Sequence, residues 1–244
     1  MRRILGFMLS PIHHLFFLLT LCLFQPIQWL SLKMGGYGAH KKSVDWLNFF
    51  LVVTYYILGL RVSFKNNNKL PIGQSIIFVA NHQSMYDVPA LIWFLRKYHA
   101  KFISKIELTK NIPSISFNLK NGGGANINRK DARQSITEIL KLGERMRDNQ
   151  WSVVIFPEGT RSPNGVLKDF QAGGIATLLK KVPQALVVPI AINNSWKVVK
   201  NGTIWLMPGY HLSFKVLDAI NTENKNVDVI ISEAKEAIQK TIHL

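Results

Sequence analysis

The chain has a single cysteine, Cys22, among 244 residues. No intrachain disulfide can form, and a zinc site built on cysteine thiolates is excluded; no metal is expected. Acidic residues are scarce, 14 against 30 lysines and arginines, for a net charge of +16. Such a balance turns away cationic partners and favours anionic ones: phospholipid surfaces, nucleic acid or phosphorylated substrates. There is no long uninterrupted basic run and no aromatic-basic motif of the RNA-binding kind, so nucleic acid is not expected as a partner. No G-x-S-x-G elbow is present, and Cys22 lies inside an apolar segment, so a serine or cysteine nucleophile has no setting. The glycines at 122–124 in "NGGGAN" resemble a phosphate cradle, but no G-K-[ST] follows, which excludes a P-loop. Repeats and low-complexity tracts are absent.

What the chain has in abundance is apolar sequence near its beginning. From Ile4 to Phe24 it is mostly Leu, Ile, Phe and Met, broken by Pro11 and by His13 and His14; "VDWLNFFLVVTYYILGL", from Val44 to Leu60, is the second such segment. Two hydrophobic helices are predicted. Spanning a bilayer takes about 20 mostly apolar residues, and the clean runs here are shorter, which favours helices lying in one leaflet. Arg2 and Arg3 lead the pair while Lys33, Lys41 and Lys42 fill its loop, so the charges give no inside-outside bias. No small-x-small cleavage pattern follows the first run, so it is read as retained rather than removed as a signal peptide. Residues 1–63 are accordingly expected to form a two-helix hydrophobic membrane anchor.

"FKNNNKLPIG", residues 64–73, reads as a turn or linker that opens a second domain, 64–244. "SIIFVA" reads as a buried strand and "VPALIWFLRKYHA" as a helix with Pro89 in its first turn. "KFISK", "WSVVIFPEG", "ALVVPIAIN" and "HLSFKVL" supply further strands. Helices are predicted over "AGGIATLLKKV", over "VDVIISEAKEAIQKTI" and over "DARQSITEILKLGERMRDN". The last has Asp131 as N-cap and Ala132, Ile136, Ile139, Leu140 and Met146 along one side. Alternating strands and helices predict an α/β fold, a largely parallel or mixed sheet flanked by helices, preceded by the N-terminal pair. Functional groups in such sheets gather at the carboxyl ends of strands. Two polar turns, at 81–87 and 157–162, lie at such ends.

In the first turn, "NHQSMYD", His82 and Asp87 are five residues apart, too far round an ideal helix to meet. A turn followed by helix entry can fold the aspartate back onto the imidazole, where it fixes the tautomer and frees the other nitrogen to take a proton. Equally open is a plain reading, with Asp87 as a helix cap and His82 bonded to backbone. In "FPEGTRS", Pro157 stops a strand and Gly159 permits a tight turn, so Glu158, Thr160 and Arg161 gather at one strand end. Arg161 suits bidentate binding of a phosphate; a surface ion pair between Glu158 and Arg161 is the plain alternative.

Together these stretches resemble the glycerophospholipid acyltransferase family. "NHQSMYD" is similar to its NHx4D block and "FPEGTRS" to its FPEG(T)RS block, in that order. Further likeness runs through "SKIEL" at 104–108, "GGANINR" at 123–129, "FQAGG" at 170–174 and "VVPIAI" at 187–192, so the resemblance covers roughly residues 60–220. It implies that His82 deprotonates an acceptor hydroxyl, which attacks an acyl thioester, while Asp87 orients and charges the imidazole. Glu158, Gly159, Thr160 and Arg161 would form the acceptor site, with Lys105 and Arg129 adding positive charge for its phosphate, and backbone amides of the 81–84 turn would stabilise the oxyanion. No cofactor is implied beyond acyl-CoA or acyl carrier protein as the carrier of the acyl donor. The implied partners are that acyl thioester, lysophosphatidic acid as acceptor and the phospholipid surface, and the implied location is the cytoplasmic face of the inner membrane, on one leaflet. The sequence departs from the family pattern at Asn126, Asn128 and Gln171, where an aromatic, an aspartate and a lysine are usual. These changes alter charge near the acceptor and leave a different lysophospholipid or a lyso-aminolipid as an alternative. A non-catalytic protein that docks on anionic lipid is the alternative from another class.

Overall fold

The computed structural model describes residues 2–243. The chain opens with α1, Arg2–Thr54, which breaks at Gly36 (φ 66°, ψ −162°), a backbone conformation that glycine adopts without steric cost. The break leaves two arms that pack on one another through Leu21 and Phe24 on one side and Leu47 and Leu51 on the other. Both arms are longer than the apolar runs alone suggest, because Gln25, Gln28 and Lys33 continue the first helix. By length and composition α1 could cross a membrane.

A 3-10 turn at Tyr55–Leu58 ends on Gly59 in the left-handed region (φ 63°) and delivers the chain to β1, Arg61–Lys65. There follow β2 (Ile76–Ala80), α2 (Asp87–Phe94), β3 (Lys101–Lys105), α3 (Ile115–Asn121), β4 (Ala125–Ile127) and α4 (Ala132–Asn149). The remaining elements are β5 (Val153–Ile155), α5 (Ala172–Lys181), β6 (Leu186–Asn193), α6 (Ser195–Val198), β7 (His211–Val216) and α7 (Val227–Gln239). The strands form one sheet in the order β1-β7-β6-β2-β5-β3-β4. All neighbours are parallel except β6 and β7, so the sheet is mixed.

The central strand explains the layering. Every residue of β2 is buried. Ile76, Phe78 and Ala80 join a core that includes Tyr55, Tyr86 and Leu91, under α1 and α2. Ile77 and Val79 join the opposite core with Leu142, Ile175 and Ile231, under α4, α5 and α7. A strand covered on both faces needs a continuous apolar run rather than alternation, which is what "IIFVA" supplies.

Several features depart from the sequence reading. β1 crosses positions 63 and 64 and pairs with β7, so part of the expected linker is a strand. β4 and α3 were not anticipated, being too short to carry a periodic signal. On α4 the buried residues are Ile139, Leu142, Gly143 and Met146, while Ile136 is half exposed. Asp131 caps that helix as expected, accepting the Gln134 amide at 2.9 Å.

The buried stripe of the first arm of α1 contains Gly6, Ser10, His13 and Gln28 as well as Leu21 and Phe24. Its exposed side carries Phe7, Met8, Leu15, Phe16, Leu19 and Leu23. A helix in water turns its polar face outward; this arm does the reverse, leaving an apolar surface that calls for a non-aqueous neighbour.

Candidate active site

The two polar turns leave the carboxyl ends of β2 and β5, which are adjacent parallel strands, with Val79 opposite Ile155. Adjacency in the sheet brings together residues more than seventy positions apart in sequence. Asn81 closes the end of β2 by giving and taking a hydrogen bond with the Ile192 backbone, at 2.9 and 2.7 Å. That pairing fixes where the chain turns.

His82 and Asp87 meet. Nδ1 of His82 donates to Oδ2 of Asp87 at 2.9 Å, with Asp87 fully buried and His82 12% exposed. The same Oδ2 accepts the amides of Gln83 and Ser84 at 2.7 and 2.8 Å, and Oδ1 accepts the Ser195 hydroxyl. The Asp87 carboxylate is therefore an acceptor in each of these contacts, which sets the histidine proton on Nδ1 and leaves Nε2 with its lone pair. The N-cap of α2 is Tyr86, and Asp87, in the first turn, caps nothing of its own helix. Its carboxylate folds back on the preceding turn instead. The imidazole stacks on Phe156 with centroids 4.1 Å apart, which fixes the ring plane.

Glu158 braces the two turns. Its Oε1 accepts the His82 amide at 2.7 Å and its Oε2 the Lys168 amide at 3.1 Å. Both carboxylate oxygens thus serve the backbone. Burial pushes its carboxyl above the ordinary range, and the amides of His82 and Lys168 oppose that shift. A second tie is the Ser162 amide, which donates to the His82 carbonyl at 2.7 Å. No ion pair links Glu158 to Arg161. Gly159 takes φ 68°, which the tight turn requires.

The amides expected to form an oxyanion hole are committed elsewhere: His82 to Glu158, and Gln83 and Ser84 to Asp87. They build the dyad rather than wait for a ligand.

The cations of the expected acceptor site converge on the carboxyl edge of β3, β4 and β5. Lys105 ends β3 opposite Ile127, two residues before Arg129. Desolvation pushes the Arg129 guanidinium below its ordinary value, with Glu107 opposing and the nearby charge of Arg161 adding. Lys105, Arg129, Thr160 and Arg161 are all exposed. Lys168, which the motifs do not reveal, donates from Nζ to Thr160 Oγ1 at 2.8 Å and to the Arg161 carbonyl at 2.7 Å.

Ser195 and Gln83 were also missed. The Gln83 Oε1 accepts the Ser195 amide at 3.1 Å, tying the dyad's turn to the end of β6. Position at the carboxyl end of a strand was the available signal. A cavity of about 400 Å³ opens beside this edge between the arms of α1, α2, α3 and β3, with Met85 and Arg161 toward the dyad and Leu21, Leu51, Ile92 and Ile115 in its walls. Its lining joins α1 to residues 85–124 and to Arg161.

Comparison with known proteins places the family and the fold. A family model described as Acyltransferase matches residues 61–193. The chain is 29% identical over 220 residues to the human 1-acyl-sn-glycerol-3-phosphate acyltransferase beta, covering 86% of this chain and 74% of that protein. It is 30% identical over 178 residues to a 1-acyl-sn-glycerol-3-phosphate acyltransferase of Chlamydomonas reinhardtii, covering 72% of this chain and 51% of the relative, so it spans about half of that longer protein. The crystal structure of the 1-acyl-sn-glycerophosphate (LPA) acyltransferase PlsC from Thermotoga maritima has the same fold, with a TM-score of 0.78 at 20% identity, covering 99% of this chain and 98% of that one. With the family model matching more than half of its length, dyad and brace included, this chain belongs to the acyltransferase family.

Proposed function

We propose that the protein transfers a fatty acyl group from an acyl thioester to the sn-2 hydroxyl of 1-acyl-sn-glycerol 3-phosphate, giving phosphatidic acid at a membrane surface. The observation that carries this reading is the 2.9 Å pair between His82 Nδ1 and Asp87 Oδ2, beside a cationic edge and an apolar cavity. The relatives' names support the choice of acceptor.

In the reaction, Nε2 of His82 takes the proton of the acceptor hydroxyl as its oxygen bonds to the thioester carbonyl carbon. Asp87 stabilises the imidazolium so formed. When the tetrahedral adduct collapses, the carbon-sulfur bond breaks, and the thiolate takes the proton back from Nε2. No acyl-enzyme forms, and no cofactor is needed beyond the thioester, on coenzyme A or acyl carrier protein. Arg161, Arg129 and Lys105 bind the acceptor phosphate, with Thr160 and the open turn at Gly159 beside it. The apolar cavity takes the acyl chain.

Residues 1–63 hold the protein in one leaflet at the cytoplasmic face, and 64–244 carry the chemistry. Support comes from the reversed polarity of the first arm and from its packing onto the body of the protein, where Gly6 lies so close to the Leu206 carbonyl that a Cβ would meet it at 2.3 Å. An arm so docked brings the membrane surface to the site.

The test is acceptor choice. Purified protein with an acyl thioester should convert lysophosphatidic acid to phosphatidic acid and leave lysolipids without a free phosphate monoester largely untouched. Equal turnover of lysophosphatidylcholine or a lyso-aminolipid would refute the assignment of the acceptor.

A further inference from the structure

The cavity is apolar along its walls but not at its far end. Lys101 and Lys105 begin and end β3, so Lys101 lies about 13 Å behind the carboxyl edge of the sheet at the usual strand rise. Around it stand Tyr37 and His40 from the bend of α1, all three lining the cavity. Lys101 is 8% exposed, and its ammonium sits 4.5 Å over the Trp151 ring and donates to the Tyr37 hydroxyl. Among the described residues no carboxylate pairs with it, and Asp45, the acid of this corner, is held by Lys41 at 2.6 Å. His40 is fully buried, and neither ring nitrogen has a hydrogen-bond partner.

Such groups are costly to bury. A cation away from water normally has a counter-charge, and a buried imidazole normally has its nitrogens satisfied. If the cavity served only methylene chains, leucine and phenylalanine would close its end at no such cost. We infer that the far end is a polar subsite for an oxygen function, a hydroxyl or a carboxylate, at the distal end of the bound acyl chain. Lys101 would donate to that oxygen, with a nitrogen of His40 as second partner. Burial, reinforced by the Lys41 charge, lowers the Lys101 ammonium to about 7, so an incoming carboxylate would supply the counter-charge that Asp45 gives only weakly. This inference rests on the reading of the cavity as the acyl-chain site.

The experiment compares donors of equal length on the full-length protein in detergent, with lysophosphatidic acid as acceptor: lauroyl-CoA, its ω-hydroxy analogue and its ω-carboxy analogue. At least one oxygenated donor should exceed lauroyl-CoA in kcat/KM by about tenfold, the worth of one hydrogen bond to a charged group. The hydroxy and carboxy arms tell which oxygen function is taken. Lys101→Met and His40→Leu should each bring the ratio toward one, and having two variants guards against one that fails to fold. No preference in the wild-type protein, or a preference that survives both substitutions, overturns the inference while leaving acyl transfer intact. Absence of transfer from every donor overturns the acyl-transfer reading, and this inference with it.

Discussion

The backbone amide of His82 donates to the carboxylate of Glu158 at 2.7 Å, so an acid from one turn holds the main chain of the other. Seventy-six residues separate the pair, and adjacency of β2 and β5 closes the gap. Glu158→Ala should therefore act first on architecture. Loss of the acceptor strands a half-buried amide, costing about 1 kcal/mol, the low end of the range for a fully buried donor. A matching fall in the denaturation midpoint, with reduced kcat, is expected; Glu158→Gln, which keeps one oxygen, should lose less. Unchanged stability in the alanine variant would remove the bracing role.

Asp87→Asn keeps an oxygen for some of the donors but loses the charge that stabilises an imidazolium. The expected fall in kcat is about 10²–10⁴, the range of general-base contributions, with KM for the acceptor little changed. Steady-state kinetics at saturating thioester decides. Ser195→Ala removes one donor to the same carboxylate and should cost far less.

Arg161 borders the cavity and acts on Arg129 through its charge. Arg161→Ala should raise KM for lysophosphatidic acid by about tenfold to a hundredfold, the loss of a charge-assisted contact. The same substitution should leave weak turnover of a monoacylglycerol unaltered. An equal effect on both acceptors would disconnect Arg161 from the phosphate.

Stability should depend on pH through Lys101 and His99. Burial, reinforced by the Lys41 charge, lowers Lys101 from 10.5 to about 7, so between those values the unfolded chain binds more protons and stability rises with pH. His99, lowered from 6.5 to about 3 by burial and then by Lys101 and Lys41, adds a fall in stability as pH drops through that lower window. Thermal unfolding in detergent should give a Tm that climbs from pH 7 upward, and Lys101→Met should flatten the climb. A wild-type Tm that declines steadily above pH 7 would contradict the assignment.

Phe16 and Leu19 are 50% and 52% exposed on the outer side of α1. Replacing both with serine should weaken flotation with liposomes and leave the unfolding midpoint nearly unchanged, because neither packs in the core. The opposite pattern would place this face inside an unseen protein contact rather than in lipid.

The sequence carried single strands and turns more fully than the joins between them. "IIFVA" and "VVPIAI" announced buried strands because burial on both faces demands unbroken apolar runs, and "NHQSMYD" announced the meeting of His82 and Asp87 through its likeness to a known block. The brace was hidden. Nothing in the text of "FPEGTRS" says that Glu158 looks inward to a main-chain amide while Arg161 looks out, since that follows from which strands are neighbours. Ser195 shares this reason, since the sheet alone brings the end of β6 to the turn after β2; the cavity needs α1 folded against α2, α3 and β3, and Lys168 reaches Thr160 and Arg161 through a local loop that carries no motif. The length of the α1 arms was missed for a different reason, because the helix continues through polar residues that interrupt the apolar pattern without ending the helix.

If His82 is the base of acyl transfer, release of free thiol from an acyl-CoA in the presence of lysophosphatidic acid should require its imidazole. His82→Ala retains the main-chain tie to Glu158, so the variant should fold with a Tm near that of the wild type. Thiol release by this folded variant should fall to background; release at a rate near that of the wild-type protein would rule out His82 as the base.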